Sequence, residues 1–270
     1  DLVALCQFLP GPASSQVGMG IGYTRAGTSG ALAAWAGFTL PSALAMILFA
    51  LGIQHWGRMP EGVGHGLKVV AVAVVAQAVW GMMRTLCPGR THRAIMLGAA
   101  MFVLALPAAW NQLVVILAAG AFGCFAFAGP TPRDTETPRA TTDHRAALAL
   151  LAVFAILLAG LPLLSRVLDN ATLAMVDVFY RTGALVFGGG HVMLPLLQAE
   201  VVPPGWVDSD TFLAGYGAVQ ATPGPLFTFA AFLGASASGP VSGWSGGMLA
   251  LVAIFLPSFL LVLGALPFWD

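Results

Sequence analysis

The stretch Gln220-Ala221-Thr222-Pro223-Gly224-Pro225 lies between long apolar segments, and its pattern, Gln-x-x-Pro-Gly-Pro, occurs a second time at Gln7-Phe8-Leu9-Pro10-Gly11-Pro12. A proline inside a helix removes a backbone donor and frees a carbonyl, and two prolines around a glycine make a continuous helix very unfavourable. In a membrane protein, a duplicated helix-breaking motif is the best sequence pointer to a transport site.

A second shared sequence element, the Leu-Pro-Ser mark, follows each copy of the motif. The first copy is followed by Phe38-Thr39-Leu40-Pro41-Ser42 and the second by Ile254-Phe255-Leu256-Pro257-Ser258. Pro41 comes 29 residues after Pro12, and Pro257 comes 32 residues after Pro225. Two matched marks at nearly equal spacing indicate an internal duplication.

The composition places the chain in a membrane. Hydrophobic residues make up 58% of it and charged residues 8%, whereas a soluble domain carries about 25% charged residues. Several windows approach or exceed the length of about 20 apolar residues that crosses a bilayer. We predict spans at residues 30–52, 63–83, 94–109, 112–129, 146–164 and 246–266.

Arginines cluster on both sides of the two short windows at 94–109 and 112–129. Two crossings return the chain to the side from which it started, so the arginines before and after them are expected to share one face. The positive-inside rule makes that face cytoplasmic. The arginines are Arg84, Arg90, Arg93, Arg133, Arg139 and Arg145.

A polar stretch rich in Pro and Thr, residues 130–145, is typical of a flexible linker. It separates a first repeat, residues 1–129, from a second repeat, residues 146–270. The second repeat has a glycine run, Gly188-Gly189-Gly190, about thirty residues before its Pro-Gly-Pro motif. The first repeat starts only six residues before its own motif, so we expect the natural protein to carry a further helix and glycine break before Asp1.

The helix breaks are the predicted substrate site. Unpaired backbone is tolerated at membrane depth only against protein or a water-filled cavity. Each Pro-Gly-Pro can start a half-helix whose free N–H groups and partial positive charge suit an anion. The alternative is that the prolines only kink helices for packing. The predicted site residues in the breaks are Pro10, Gly11, Pro12, Gly188, Gly189, Gly190, Pro223, Gly224 and Pro225.

Basic residues in or near the apolar segments could bind an oxyanion through charge-assisted hydrogen bonds. Arg25 lies thirteen residues after Pro12, Lys68 lies in the second window, and Arg181 lies seven residues before Gly188. Charged groups at membrane depth are usually functional. The alternative is that these side chains snorkel to the interface from the ends of their segments.

Uncharged and titratable polar residues complete the candidate set. His191 could couple transport to a proton or stay neutral as a hydrogen-bond donor. Glu200 is a candidate proton carrier, or an acid at the interface. Gln7 and Gln220 could contact an anion or bond neighbouring helices.

Signals for other classes of protein are missing. The sequence has no His-Glu-x-x-His and no phosphate-binding loop, which argues against an intramembrane enzyme. The three cysteines form no Cys-x-x-Cys pattern, so we expect neither a metal site nor a cofactor. The net charge of zero implies no attraction to nucleic acid.

The combined motifs resemble the chromate transporter family. The resemblance covers nearly the whole chain and is carried by both Gln-x-x-Pro-Gly-Pro motifs, with further stretches around them. These are Phe187-Gly188-Gly189-Gly190-His191-Val192, Gly205-Trp206 with Phe212, Gln16, and Gly66-Leu67-Lys68 with the Val/Ala-rich run to Trp80. The resemblance implies an all-α polytopic inner-membrane protein of two homologous, inverted halves that exports chromate, driven by the proton motive force.

The resemblance also supplies residue roles and leaves alternatives open. It makes the glycine run, both Pro-Gly-Pro motifs and Lys68 the functional positions, and Gln16 joins the substrate-binding set. Sulfate has the same charge and a similar shape, and an uncoupled anion channel is the rival mechanism. The expected partners are chromate or sulfate and the lipid bilayer, and a homodimer is an open prediction.

Overall fold

All regular secondary structure in the described chain is helical, which confirms the predicted all-α class. The computed structural model describes residues 2–56, 61–106, 111–126, 144–187, 190–239 and 241–268. The helices are α1 Leu2–Phe8, α2 Ala13–Trp56, α3 Glu61–Leu86, α4 Arg90–Ala105, α5 Asn111–Ala126, α6 His144–Leu168, α7 Ala171–Leu185, α8 Met193–Val201, α9 Ser209–Ala221, α10 Phe229–Ser236 and α11 Gly243–Ala265. Short 3₁₀ turns cover Gly190–Val192, Leu226–Thr228 and Leu266–Phe268.

Four helices in the described chain are long and apolar enough to cross a bilayer. They run over Ala13–His55, Gly64–Arg84, His144–Leu168 and Gly243–Phe268. Large apolar side chains such as those of Val72, Leu104 and Val167 are exposed on the surfaces of helices. A soluble protein rarely exposes so many, whereas lipid would cover them. The chain is therefore a multi-pass membrane protein.

Two of the predicted spans correspond to shorter helices. The windows 94–109 and 112–129 fall on α4 and α5, which have 16 residues each. At 1.5 Å per residue such a helix is about 24 Å long, less than the roughly 30 Å of the hydrocarbon core. Residues 107–110 and 127–129 lie outside the described residues, so these two crossings remain predictions.

The chain divides into two compact units. Residues 1–71 and 137–270 form the first unit, and residues 72–136 form the second. In the second unit, α4 packs on α5 around an apolar cavity of about 370 Å³. The predicted repeats and the linker at 130–145 were inferred from sequence duplication. The division into compact units does not test them, so they stay predictions. Helix α6 begins at His144, so it includes the last two residues of the predicted linker.

The helices of the first unit are interrupted at both Pro-Gly-Pro motifs. Helix α1 ends at Phe8 and α2 begins at Ala13, directly after the first motif. Helix α9 ends at Ala221, and a 3₁₀ turn that leads into α10 starts directly after the second motif. The central glycines have φ of +118° at Gly11 and +145° at Gly224, which side chains other than glycine rarely adopt.

Each interrupted helix continues into a tight hairpin. Helix α2 breaks at Ala26 and Gly27, whose φ/ψ values are not helical. A Cβ added at Gly30 would overlap the carbonyl oxygen of Gly22. Residues eight apart in a straight helix are about 12 Å apart, so the chain folds back here. Helices α10 and α11 form a second hairpin, in which Gly234 and Gly246 approach each other in the same way.

The centre of the first unit is the short helix α10. Seven of its eight residues, Phe229 to Ala235, are buried, and its neighbours are α2, α9 and α11. A helix that is apolar on all sides belongs in a core. The second Pro-Gly-Pro therefore starts a half-helix inside the protein, away from lipid.

Candidate functional site at the helix breaks

The first break packs against α11. Gly11 donates its N–H to the carbonyl of Val186 at 2.7 Å. A Cβ added at Gly11 would lie 2.5 Å from Ser258 Oγ and 2.8 Å from Gln16 Nε2. Ser258 is the serine of the second Leu-Pro-Ser mark, and its side chain is fully buried. The first Pro-Gly-Pro is thus held against the second Leu-Pro-Ser mark, on α11.

The second break packs against α2 in the same manner. A Cβ added at Gly224 would lie 2.5 Å from Ser42 Cβ. Ser42 Oγ and Thr228 Oγ1 are 2.9 Å apart, and Thr228 Oγ1 also donates to the carbonyl of Pro225 at 2.9 Å. The first break therefore lies on the second Leu-Pro-Ser mark and the second break on the first, so the two contacts are reciprocal.

The glycine run contacts both breaks through its described neighbours. Val186, two residues before the run, accepts the N–H of Gly11. A Cβ added at Gly190 would lie 2.7 Å from Cβ of Leu226, the residue directly after Pro225. Gly188, Gly189 and the side chain of His191 lie outside the described residues. Val186 thus bonds to the first Pro-Gly-Pro motif, and Gly190 packs on the residue that follows the second.

The three glutamines differ in their surroundings. Gln16 is fully buried and donates to the carbonyl of Pro10 at 2.6 Å and to Ser258 Oγ at 3.5 Å. Gln7 is exposed. Gln220 donates to the hydroxyl of Tyr216 at 2.7 Å, within its own helix rather than between helices. Gln16 is thus the glutamine that lies within the junction of the breaks.

Several buried polar atoms near this junction have no hydrogen-bond partner among the described residues. They are Ser15 Oγ, Gln16 Oε1 and Thr39 Oγ1, on residues at most 1% exposed. An unsatisfied buried polar group costs about 1–3 kcal/mol. Such groups become satisfied when water or a polar ligand reaches them. The junction therefore carries unused hydrogen-bonding capacity in a dry environment.

Lys68 is engaged in an ion pair. Its Nζ donates to Asp210 Oδ1 at 2.6 Å, and the two side chains are 36% and 79% exposed. Asp210 lies in the first turn of α9, and the carbonyl of Leu67 packs against Gly217 on the same helix. Lys68 thus binds α3 to α9 and is not at the junction of the breaks.

Arg181 lies between two carboxylates. Its Nη1 is 2.8 Å from Glu200 Oε1, and its Nη2 is 3.0 Å from Asp177 Oδ2. The guanidinium is therefore already neutralised in this conformation. Arg25 is exposed beside the kink in α2, and no ion pair is found for it within the described chain.

Asp208 caps the N-terminus of α9. Its Oδ1 accepts the backbone N–H groups of Asp210 at 3.0 Å and Thr211 at 2.9 Å at the start of α9. Burial alone would raise the pKa of Asp208, but hydrogen bonds from Thr211 and Asp210 outweigh it and hold the pKa below its ordinary value. A lowered pKa keeps the carboxylate charged at neutral pH, where the cap has its full strength.

A cavity of about 470 Å³ lies at the other end of α10 from Pro225. Its walls include the polar side chains of Gln54, Asp208, Ser238 and Ser242. Helix α10 has eight residues, so about 12 Å of helix separates this cavity from the second break. The cavity is a polar recess near the break rather than the junction itself.

Sequence reasoning missed four residues of this region: Ser42, Ser258, Thr228 and Asp177. The two serines were visible as the ends of the Leu-Pro-Ser marks, but only the tertiary structure shows what they contact. Asp177 had a local signal, because it precedes Arg181 by four residues, the spacing at which side chains on one helix face meet.

Half-helices that start at breaks packed against other helices, within a bundle of spanning helices, are the architecture of membrane transporters. The comparison with known families agrees with this class. The family model described as chromate transporter matches residues 1–124 and 173–270. The chain belongs to the chromate transporter family.

Named relatives extend the comparison. The chain is 27% identical to an uncharacterised transporter of Methanocaldococcus jannaschii, over 99% of this chain and 66% of the relative. It is 27% identical to the chromate transport protein of Pseudomonas aeruginosa, over 96% and 60%. It is 25% identical to the chromate transport protein of Cupriavidus metallidurans, over 99% and 63%. The chain thus spans less than two thirds of the length of these relatives. No solved structure matches it.

The Lys68–Asp210 pair allows the predicted role of Lys68 in substrate binding to be tested. An exposed ion pair contributes about 1 kcal/mol or less. If Lys68 acts only through Asp210, then Lys68→Gln and Asp210→Asn should lower the thermal midpoint in detergent equally and slightly, with chromate flux within about twofold of the wild type. A flux lost in Lys68→Gln but kept in Asp210→Asn would place the lysine on the anion path.

Proposed function

We propose that this protein is a secondary transporter that exports chromate across the inner membrane, driven by the proton motive force. The observation that carries the proposal is the reciprocal packing of the two breaks, Gly11 against Ser258 and Gly224 against Ser42. Membership of the chromate transporter family and the names of two relatives supply the substrate. The proposal concerns the whole protein that contains this chain.

Neutral groups would bind the anion at this site. Helix α2 starts at Ala13 and the turn before α10 starts at Leu226, so each half-helix begins directly after a break. The first N–H groups of a helix carry partial positive charge and bind tetrahedral oxyanions. The Ser258 hydroxyl, which accepts from Gln16, adds an uncharged donor, and the hydroxyls of Ser42 and Thr228 would turn from their present partners towards the anion. Away from water each of these bonds is stronger than at the surface.

The duplicated hairpins would provide the alternation of access. We propose that the repeats are inverted relative to each other, with the anion held at their shared midplane. The α10–α11 hairpin and the α2 hairpin would rock about their Gly-Gly contacts and open the junction to either side in turn. The arginine-rich loops and the linker at 130–145 would lie in the cytoplasm.

Sulfate is the second candidate substrate. Sulfate is also a tetrahedral dianion, and helix N-termini with hydroxyl donors do not discriminate between the two by charge. An uncoupled anion channel would use the same groups without a driving ion. Both alternatives are separated from the proposal by flux measurements.

The test is transport into inverted membrane vesicles that contain the full-length protein. We expect labelled chromate to accumulate in the vesicles, and to do so less when an ionophore collapses the proton motive force. Accumulation of labelled sulfate in place of chromate would change the substrate. Chromate flux that only equilibrates and ignores the ionophore would indicate a channel. No flux of either anion above control vesicles would overturn the proposal.

A further inference from the structure

Asp177, Arg181 and Glu200 form an ion cluster between the helix before the glycine run and the helix after it. Asp177 and Arg181 are on α7, and Glu200 is on α8, which begins after the run. Arg181 Nη2 is 3.0 Å from Asp177 Oδ2 and 3.4 Å from Glu200 Oε2, and Nη1 is 2.8 Å from Glu200 Oε1. The cluster therefore connects α7 with α8. Between these helices, Val186 accepts the N–H of Gly11 and Gly190 packs on Leu226.

The cluster carries one more negative than positive charge. Two carboxylates share one guanidinium, and the side chain of Asp177 is only 9% exposed. Its second oxygen, Oδ1, is buried and has no hydrogen-bond partner among the described residues. A buried carboxylate oxygen without a donor is an unfavourable arrangement that a proton would relieve.

Few other ionisable groups face Asp177. The neighbours of α7 are α6, α8 and α11. Helix α11 has no ionisable side chain, and Glu200 is the ionisable residue of α8. Helix α6 carries His144, Arg145 and Arg166 near its ends, and Tyr180 of α7 donates its hydroxyl to the carbonyl of Phe154. Arg181 and Glu200 thus dominate the electrostatics around Asp177.

We propose that Asp177 binds the proton that accompanies anion binding in this transporter, an inference that rests on the proposed function. With both carboxylates charged, the cluster repels a dianion and occupies Arg181. A proton on Asp177 Oδ1 makes the cluster neutral and weakens the hold of Asp177 on Nη2 of Arg181. Arg181, seven residues before Gly188, can then offer an N–H to an anion near the breaks. Proton and anion therefore bind together.

This linkage determines how the membrane potential acts. One proton with one dianion carries a net charge of −1 through the membrane. A potential that is negative inside drives this complex outward, while a pH gradient that is acid outside opposes it. The electrical part of the proton motive force would then power export, and the mechanism is cotransport of proton and anion rather than their exchange.

The experiment compares the wild type with Asp177→Asn in the full-length protein, reconstituted into liposomes with a clamped membrane potential. Labelled chromate flux is measured as a function of concentration between pH 6 and pH 8.5. For the wild type we expect the KM to rise with pH, by at most about tenfold per pH unit, as linkage to one proton requires. For Asp177→Asn we expect a KM that no longer rises and is about tenfold below the wild type at pH 8.5. Protonation of chromate itself is common to both proteins and cancels in their ratio.

Two further measurements keep the result interpretable. Asp210→Asn is the matched control, because it neutralises an exposed carboxylate of another ion pair, and it should keep the wild-type pH dependence. When chromate is added to unbuffered wild-type protein, the protein should take up about one proton for each anion bound, after the proton uptake of a protein-free blank is subtracted. This assay needs no variant. The same pH dependence in Asp177→Asn as in the wild type, or no proton uptake by the wild type, would overturn the inference. Absence of chromate flux in the wild type would overturn the proposed function instead.

Discussion

We expect replacement of Gly224 by alanine to destabilise the folded protein around the second break and to abolish transport. Two costs add at this position. The backbone has φ of +145°, a conformation that costs a residue with a side chain about 1–3 kcal/mol. The new Cβ would also lie 2.5 Å from Ser42 Cβ and 2.9 Å from Ser42 Oγ, and overpacking of this kind costs about 1–3 kcal/mol. We expect a loss of about 3 kcal/mol or more, seen as loss of monodisperse protein and of chromate flux.

Gly239 provides the matched control for Gly224. It has a similar φ, +156°, but no atom within 4 Å of an added Cβ. Gly239→Ala should therefore incur the backbone cost alone and retain folded protein. Ser42→Gly removes the side chain that the new Cβ meets, so it should restore part of the stability of Gly224→Ala. Equal damage from both glycine substitutions, with no rescue by Ser42→Gly, would show that the contact with α2 is unimportant.

Substitution of Arg181 by methionine is expected to have the second large effect. It leaves two carboxylates, Asp177 and Glu200, without their shared cation, and Asp177 is buried. Removal of one partner from a buried ion pair costs about 3–5 kcal/mol, because the charge left behind is unpaired. Glu200 is 31% exposed in its side chain, which puts the expected loss at the lower end of that range. The thermal midpoint in detergent and the chromate flux should both fall.

Two further variants separate stability from function at Arg181. Arg166 is exposed at the end of α6, with no ion pair found for it within the described chain, so Arg166→Met should leave the midpoint nearly unchanged. The triple variant with Arg181→Met, Asp177→Asn and Glu200→Gln removes all three charges together and should recover most of the stability. We expect it to remain without chromate flux. Recovery of flux in the triple variant would reduce Arg181 to a structural role.

The helical class and the breaks were the part of the structure open to sequence reasoning. Long apolar windows and low charge determine a helical membrane protein, because lipid leaves helices as the simplest way to satisfy the backbone. The cap at Asp208 was predictable for a local reason, since its carboxylate bonds the N–H groups two and three residues further on. Interactions within one turn of the chain are visible in the sequence.

The partners of the breaks were not predictable in the same way. Ser258 and Gly11 are far apart in the chain, and only the packing of α11 on the first break brings them together. The predicted roles of Lys68 and Arg181 rested on the rarity of charge in apolar segments. That rule locates charged groups of functional interest but does not predict which acid each one pairs with. In the structure, Lys68 pairs with Asp210, and Arg181 pairs with Asp177 and Glu200.

The central claim is that the anion passes where the first break lies on Ser258 of α11 and the second break lies on Ser42 of α2. The most direct measurement is labelled chromate flux in inverted vesicles for Ser42→Ala and Ser258→Ala, at matched amounts of folded full-length protein. Ser29→Ala is the control, because its hydroxyl is exposed and bonds the carbonyl of Ala26 within its own helix. We predict that substitution of either buried serine lowers flux about tenfold, which corresponds to roughly 1.4 kcal/mol, while Ser29→Ala matches the wild type. Wild-type flux in both buried-serine variants would contradict the account.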